Sequence, residues 1–240
     1  MTGFPITQAI ILAAGRGERL RPLTDRLPKP LLTVGGITLI DHHLHALRRA
    51  GFRDCVINVA HLGPLIEAHI GSGVRYGLNV RFSPEPAGAL ETGGGIRQAL
   101  PLLTPAPFLA VNADIYTDFN FRNLTLAPQS LAHLILVENP AHNRSGDFTL
   151  CGDQVGNDAV ARFTYSGIAL YAPELFNLAP SKARFPLAPL LREAANLGRV
   201  TGTFHTGRWF DIGTSARLEQ ARRLPPPKAF SQHAVIKTID

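Results

Sequence analysis

Two cysteines, Cys55 and Cys151, are all that the 240 residues hold. They are too few for a disulfide framework, and neither stands in a metal-ligand spacing. No apolar run approaches the length of a membrane span, and no early segment has the pattern of a signal peptide. A cytoplasmic protein that keeps off the membrane is therefore expected. The net charge is +6, yet the basic residues are mostly scattered and form no stripe interleaved with aromatics. Nucleic acid is not an expected partner. Two phosphate motifs are missing as well. Leu20 stands where a dinucleotide fingerprint needs its third glycine, and no Gly-Lys-Ser/Thr closes a nucleoside-triphosphatase loop. Nor is there a Gly-x-Ser-x-Gly nucleophile turn.

The chain is 45% hydrophobic and 18% charged, the balance of a globular protein. Strand-like and helix-like runs alternate. Strands are expected over Gln8–Ala13, Cys55–Val59, Leu78–Phe82, Phe108–Asn112, Leu134–Val137, Phe163–Tyr171 and Val200–Phe210. Helices are expected over Thr38–Ala50, Leu65–Ile70, Gly95–Leu103, Leu187–Leu197 and Ser215–Leu224, the last capped by Thr214. This rhythm predicts an α/β fold, a Rossmann-like mixed and mainly parallel sheet flanked by helices. One domain is expected over residues 1–224, followed after Pro225-Pro226-Pro227 by a C-terminal tail over 225–240. Asn139–Asp158 reads as polar and turn-rich. His42, His43, His45, His61 and His69 are expected at the surface, outside the chemistry.

The densest basic cluster is Arg16, Arg19, Arg21, Arg26 and Lys29, in the segment that follows the first strand. Gly15 and Gly17 let backbone N–H groups approach an anion closely. Arg19 can offer a bidentate fork and Lys29 a point charge. Pro22, Pro28 and Pro30 restrict a loop that otherwise reads as flexible. The composition suits a polyanionic small ligand. Further on, Asp114 ends the apolar run Val111-Asn112-Ala113, and Asp211 sits within Trp209-Phe210-Asp211-Ile212-Gly213. Two such carboxylates brought together repel unless a cation lies between them, and Mg²⁺ binds through one or two carboxylates plus substrate phosphates. Glu91-Thr92-Gly93-Gly94-Gly95 leads into a helix whose N-terminus favours phosphate, and its glycines would let backbone approach a ligand.

The run from Leu12 through Gly15-Arg16-Gly17-Glu18-Arg19-Leu20-Arg21-Pro22-Leu23-Thr24, followed by Pro28-Lys29-Pro30, resembles the signature of the sugar-1-phosphate nucleotidyltransferases. The similarity extends from Gln8 to about Leu224. It implies a GT-A-like nucleotidyltransferase fold and a Mg²⁺-dependent enzyme. The substrates implied are a nucleoside triphosphate and a sugar-1-phosphate, the products an NDP-sugar and pyrophosphate. By resemblance Arg19, Lys29, Asp114 and Asp211 are catalytic, with the two aspartates holding Mg²⁺. Leu12, Ala13, Ala14, Gly15, Gly17, Glu85, Gly88, Thr92 and Gly93 would bind the nucleotide. Glu91, Gly94, Asn112, Gly146, Asp147, Thr164, Ser166 and Gly167 would bind the acceptor.

Within the family, Asn112-Ala113-Asp114, Gly146-Asp147-Phe148 and Phe163-Thr164-Tyr165-Ser166-Gly167-Ile168 resemble members acting on N-acetylmuramate 1-phosphate with UTP, in cell-wall sugar recycling. Those are the favoured substrates. Mannose-, glucose- or heptose-1-phosphate and phosphocholine are the alternative acceptors, and a non-catalytic regulator that keeps the pocket is the alternative class. One departure stands out. Many relatives carry a Glu-Lys-Pro whose lysine meets the sugar phosphate; Val155–Arg162 has none, which leaves Arg162 as a candidate cation.

Overall fold

In the computed structural model the described residues are 6–224, apart from 87, 89 and 159. The expected tail over 225–240 and its proline run lie outside them. The first part of the chain contains β1 (Gln8–Leu12), the hairpin β2 (Thr33–Val34) and β3 (Ile37–Thr38), α1 (Leu39–Arg49), β4 (Asp54–Val59), α2 (Gly63–Ile70), β5 (Asn79–Pro84) and α3 (Glu91–Ala99). Then come β6 (Phe108–Asn112), β7 (Ile115–Thr117), β8 (Ala132–Val137), β9 (Phe148–Cys151), β10 (Gln154–Gly156) and β11 (Arg162–Tyr171). The last elements are α4 (Leu187–Asn196), β12 (Val200–Phe204), β13 (Trp209–Asp211) and α5 (Ser215–Arg222).

Nine strands form one sheet in the order β5-β4-β1-β6-β11-β8-β12-β10-β9. β5, β4, β1 and β6 are parallel neighbours, and β12 is parallel to β8. Only β11 and β10 run against the rest, so seven of nine strands point one way. The sheet is mixed and mainly parallel, as the alternation of elements implied. The chain steps outward from β1 to β4 and β5, then returns to place β6 on β1's other side. That reversal opens a crevice at the carboxyl ends of β1 and β6, where doubly wound sheets bind ligands.

Alternation along the central strands builds the core on both faces. Ile10 and Ala110 pack with Ile96 of α3 and Leu187, Leu190 and Leu191 of α4. Ala9, Ile11, Leu109 and Val111 pack with Ile40, Leu44 and Leu47 of α1 and Ile66 and Ile70 of α2. Each fully buried aliphatic side chain contributes roughly 1.5–3 kcal/mol of transfer free energy. A third cluster joins Leu20, Leu32 and Val34 to Tyr116, Ile212 and Leu218. It anchors the loop after β1 against β7 and α5, and so brings Lys29 and Asp211 into one region.

Three expectations change. The segment expected as one strand over Val200–Phe210 is split into β12 and β13 by a turn, and β13 pairs with β7 outside the main sheet. α3 begins at Glu91, so the three glycines lie inside the helix rather than ahead of it. The histidines divide: His45 is exposed, His61 and His69 are half-buried, but His42 and His43 are buried in α1. Those two fall on the face of α1 that carries Leu39, Ile40, Leu44 and Leu47, so helical periodicity carries them inward.

Burial pushes the His43 imidazole down from 6.5 to about 4. Between those values the unfolded chain binds a proton that the folded chain does not, so stability is full above about pH 6.5 and falls toward pH 4. At pH 5 this one group should cost about 2 kcal/mol, from roughly 1.5 pH units at 1.36 kcal/mol each. Urea unfolding at pH 7.5 and 5.0 measures the difference. His43→Gln should flatten that part of the profile; an unaltered slope would assign the loss to other groups.

Candidate active site

The loop after β1 is not loose. Three short 3-10 turns, Glu18–Leu20, Leu23–Asp25 and Lys29–Leu31, fold it onto itself. Gly17 takes a left-handed φ of 71°, and its carbonyl accepts from the buried Thr24 hydroxyl at 2.9 Å. Arg16 donates to the Thr24 carbonyl at 2.8 Å and to Asp25 at 2.6 Å, and Arg21 donates to Asp25 at 3.0 Å. The Arg16 hydrogen bond is the main reason that the Asp25 carboxyl titrates below its usual range. Two of the five clustered cations are thus engaged within the loop, which corrects the reading of a flexible cationic segment.

A cleft opens where β1, β4 and β6 end. Leu12, Ala13, Ala14, Gly15, Gly17, Lys29, Glu85, Thr92, Asn112 and Asp114 line it; of these Asn112 was expected with the acceptor. Glu91 lines this cleft rather than the neighbouring pocket, and lies 3.3 Å from Arg184. Asn58, at the end of β4, ties the floor together. Its Oδ1 accepts from the Ala13 N–H at 2.7 Å and its Nδ2 donates to Glu85 at 2.6 Å, while Glu85 accepts from the Leu90 N–H at 2.7 Å. This residue was missed. Its signal was a lone amide inside the apolar run Cys55-Val56-Ile57-Asn58-Val59.

Beside the cleft is a second pocket, lined by Arg19, Asn112, Asp114, Asn143, Asp147, Thr164, Ser166, Gly167, Trp209 and Asp211 among others. A register shift in β11 between Tyr165 and Ala169 shapes it. Gly167 sits in that shift at φ 78°, and a Cβ there would meet the Asn112 amide at 2.6 Å. Asp147 accepts from the Tyr165 N–H at 2.9 Å and from Asn143 at 3.1 Å; Trp209 donates to the Ser166 carbonyl at 2.9 Å. Asn143 was not foreseen, since a polar residue in a turn-rich stretch carries no distinguishing pattern.

Asn112 and Asp114 line both spaces. The strand pair β7–β13 sets Asp211 opposite Ile115, next to Asp114 in the chain, and the Ile212 N–H donates to the Asp114 carbonyl at 3.0 Å. The two predicted carboxylates are therefore neighbours on one wall. Lys29 is in ion-pair contact with Asp114, and Arg217 lies 3.2 Å from Asp211. Among the described residues no third His, Cys, Asp or Glu completes a protein cage for an ion. Two carboxylates open to phosphate oxygens are the donor set of a hard dication that arrives with its nucleotide, so these residues fit Mg²⁺.

Other expected positions lie elsewhere. Arg19 is exposed and stands on the wall of the second pocket, not in the cleft. The space that a Cβ would need at Gly93 and Gly94 is filled by Phe185 and by the Ala183 carbonyl, and at Gly95 by Glu85. These glycines let α3 pack against its own chain, which corrects the idea that they serve a ligand's approach. Gly146 faces Arg162, and Gly88 is exposed at φ 96°. Arg162 donates to the carbonyls of Asp158 and Asn157 at 2.6 Å each, so it is not the free cation expected near the acceptor.

A crevice at the reversal of a doubly wound sheet, walled by two carboxylates, a lysine and a glycine turn, defines a phosphate-handling transferase. Residues 8–164 match the nucleotidyl transferase family, and the chain belongs to it. It is 51% identical over 225 residues to an N-acetylmuramate alpha-1-phosphate uridylyltransferase of Neisseria meningitidis serogroup B, covering 90% of this chain and 97% of that one. It is 35% identical over 233 residues to the protein of the same name from Caulobacter vibrioides, covering 90% of this chain and 96% of that one. In fold it is similar to a Bacillus anthracis protein assigned as a glucose-1-phosphate thymidylyltransferase and solved with sucrose. That match has a TM-score of 0.78 and 22% identity over 93% of this chain and 98% of the other.

Proposed function

We propose that the chain transfers a uridylyl group from UTP to N-acetylmuramate 1-phosphate, releasing pyrophosphate. The observation that carries this reading is the shared wall: Asn112 and Asp114 border both spaces, so phosphates held in the two would meet there. The two relatives at 51% and 35% identity supply the substrates by their names. A phosphate oxygen of the acceptor attacks the α-phosphorus in line. The bond from that phosphorus to the oxygen bridging toward the β-phosphate breaks, and pyrophosphate departs with the electron pair.

The nucleophile is already an anion, so no strong general base is required. Positioning and charge neutralisation carry the rate. Lys29 neutralises the nucleotide's phosphates from the cleft, and Arg19 does so from the second pocket's edge. The loop Leu12–Gly15 seats the nucleoside and Thr92 the helix end beside it. Asp147, Thr164, Ser166 and the bulge at Gly167 orient the sugar. Asp114 and Asp211 would hold a Mg²⁺ ion, which when bound would supply Lewis-acid stabilisation of phosphate charge. A cytoplasmic role in reusing cell-wall sugar fits a chain whose two cysteines are both free thiols and in which no described helix is long and apolar enough to cross a membrane.

The test is pyrophosphate release with Mg²⁺, each nucleoside triphosphate being paired with N-acetylmuramate-, N-acetylglucosamine-, mannose-, glucose- and heptose-1-phosphate and with phosphocholine. UTP with N-acetylmuramate 1-phosphate should give the highest kcat/KM. Preference for another pair would keep the mechanism and change the substrate. Nucleotide binding with no release across the panel would make the chain a regulator.

A further inference from the structure

The nucleotide cleft has two unlike ends. Lys29 and Asp114 meet past the end of β6, on one side of β1. Asn58, in β4, and Glu85, just after β5, line the cleft on β1's other side. Among the described residues no basic side chain but Lys29 lines the cleft, so the triphosphate belongs with that ammonium. The nucleoside is left to the second end.

Asn58 is 3% exposed, and both ends of its amide are fixed. The Ala13 N–H can only donate, so Oδ1 faces it and Nδ2 faces Glu85. Glu85 accepts there with Oε1 and takes the Leu90 N–H with Oε2. Three hydrogen bonds of 2.7, 2.6 and 2.7 Å thus run in series from the loop after β1 to the residue that precedes α3. Gly95 leaves this relay its room: a Cβ there would lie 2.3 Å from Glu85 Oε1 and 2.8 Å from Asn58 Nδ2. Both oxygens of Glu85 are engaged within the chain, so it meets a nucleotide only as part of the wall.

We infer that Asn58 is a positioning residue for the nucleotide: its relay through Glu85 sets the gap between the Ala13 wall and the Leu90–Thr92 wall, where the nucleoside lies. The inference rests on the proposed reaction for its ligand. A broken joint leaves a buried donor or acceptor without a partner, and walls that must be ordered anew weaken binding. The Asp114 end is held by separate bonds, from the Ala113 N–H to the Leu12 carbonyl and from the Ile212 N–H to the Asp114 carbonyl, at 3.0 Å each. Loss of the relay should therefore be read in nucleotide affinity and not in turnover at saturation.

An exchange of the two side chains tests this. Asn58→Asp sets two carboxylates face to face. Glu85→Gln turns an amide NH₂ toward either the Asn58 NH₂ or the Leu90 N–H. Each change breaks a joint. Together they close all three again: the new carboxylate accepts from Ala13 and from the new amide, whose oxygen accepts from Leu90. In calorimetric titration with UTP and Mg²⁺ each single variant should bind about tenfold more weakly. The double variant should return to within about threefold of the wild type. The KM for UTP should follow the same cycle, with kcat at saturation changed less than about threefold. A merely structural role would move the melting temperature through that cycle and leave the UTP affinity of the folded protein unmoved. Should Asn58→Asp not fold, Glu85→Gln, half-buried and adding no charge, carries the comparison with the double variant. Single variants that bind UTP as the wild type does, or a double variant no tighter than the singles, overturn the inference. Absence of pyrophosphate release from a wild type whose UTP affinity follows the cycle counts against the reaction and leaves the relay standing.

Discussion

Asp114→Asn is expected to lower turnover by about 10³-fold while leaving the fold intact. The backbone here is held independently of the carboxylate. The Ala113 N–H donates to the Leu12 carbonyl at 3.0 Å, and the Asp114 carbonyl accepts from Ile212 at 3.0 Å. Asparagine keeps the shape and removes the charge that would face a dication and the phosphates. The Asp114 side chain is 27% exposed and pairs with Lys29, so loss of its charge, which leaves that ammonium unpaired, should cost about 1–2 kcal/mol of stability after allowance for solvent screening. Pyrophosphate release at saturating substrates and thermal unfolding measure the two effects on one sample. The half-saturating Mg²⁺ concentration should rise as well. A variant of near-normal rate would remove Asp114 from the reaction.

How much of this was legible in the sequence depended on the range of the interactions. The sheet was readable, because each parallel strand is a short apolar run closed by a turn. β9 and β10, at four and three residues, carry no alternation and passed as loop. In the opening segment Gly15, Gly17 and Lys29 stood out by residue type, and all three line the cleft. That Asp25 neutralises Arg16 and Arg21 was not, since it needs the turns between them to close. The three glycines of α3 were misread for the same reason. What fills their missing Cβ positions includes residues 183–185, some ninety positions along the chain. Asn58 was discoverable: an amide buried within a strand must find partners, and its partners are the loops that build the cleft. Arg217 was not, because an arginine in the first turn of a terminal helix is ordinarily a solvated residue, and only the fold sets it on Asp211.

Lys29→Met should raise the KM for UTP about tenfold and lower kcat by about 10²-fold, with binding of the sugar phosphate little changed. Among the described residues Lys29 is the one basic side chain lining the nucleotide cleft. Its side chain is 12% exposed, and its ammonium pairs with Asp114 beside the space a phosphate would occupy. Methionine keeps the stem's packing and deletes the charge. Lys29→Arg restores charge but spreads it over a planar fork, so it should recover only part of the rate. Stability gives a separate reading. Removing the ammonium leaves the Asp114 carboxylate partly buried and unpaired, at a cost of about 1–2 kcal/mol after allowance for solvent screening. The double variant Lys29→Met with Asp114→Asn has no such charge and should regain most of that loss while its turnover stays low. Recovery of stability without recovery of rate would separate the pair's part in holding the apo site from its part in the chemistry. Unchanged kinetics in Lys29→Met would instead place the nucleotide's phosphates elsewhere than on this loop.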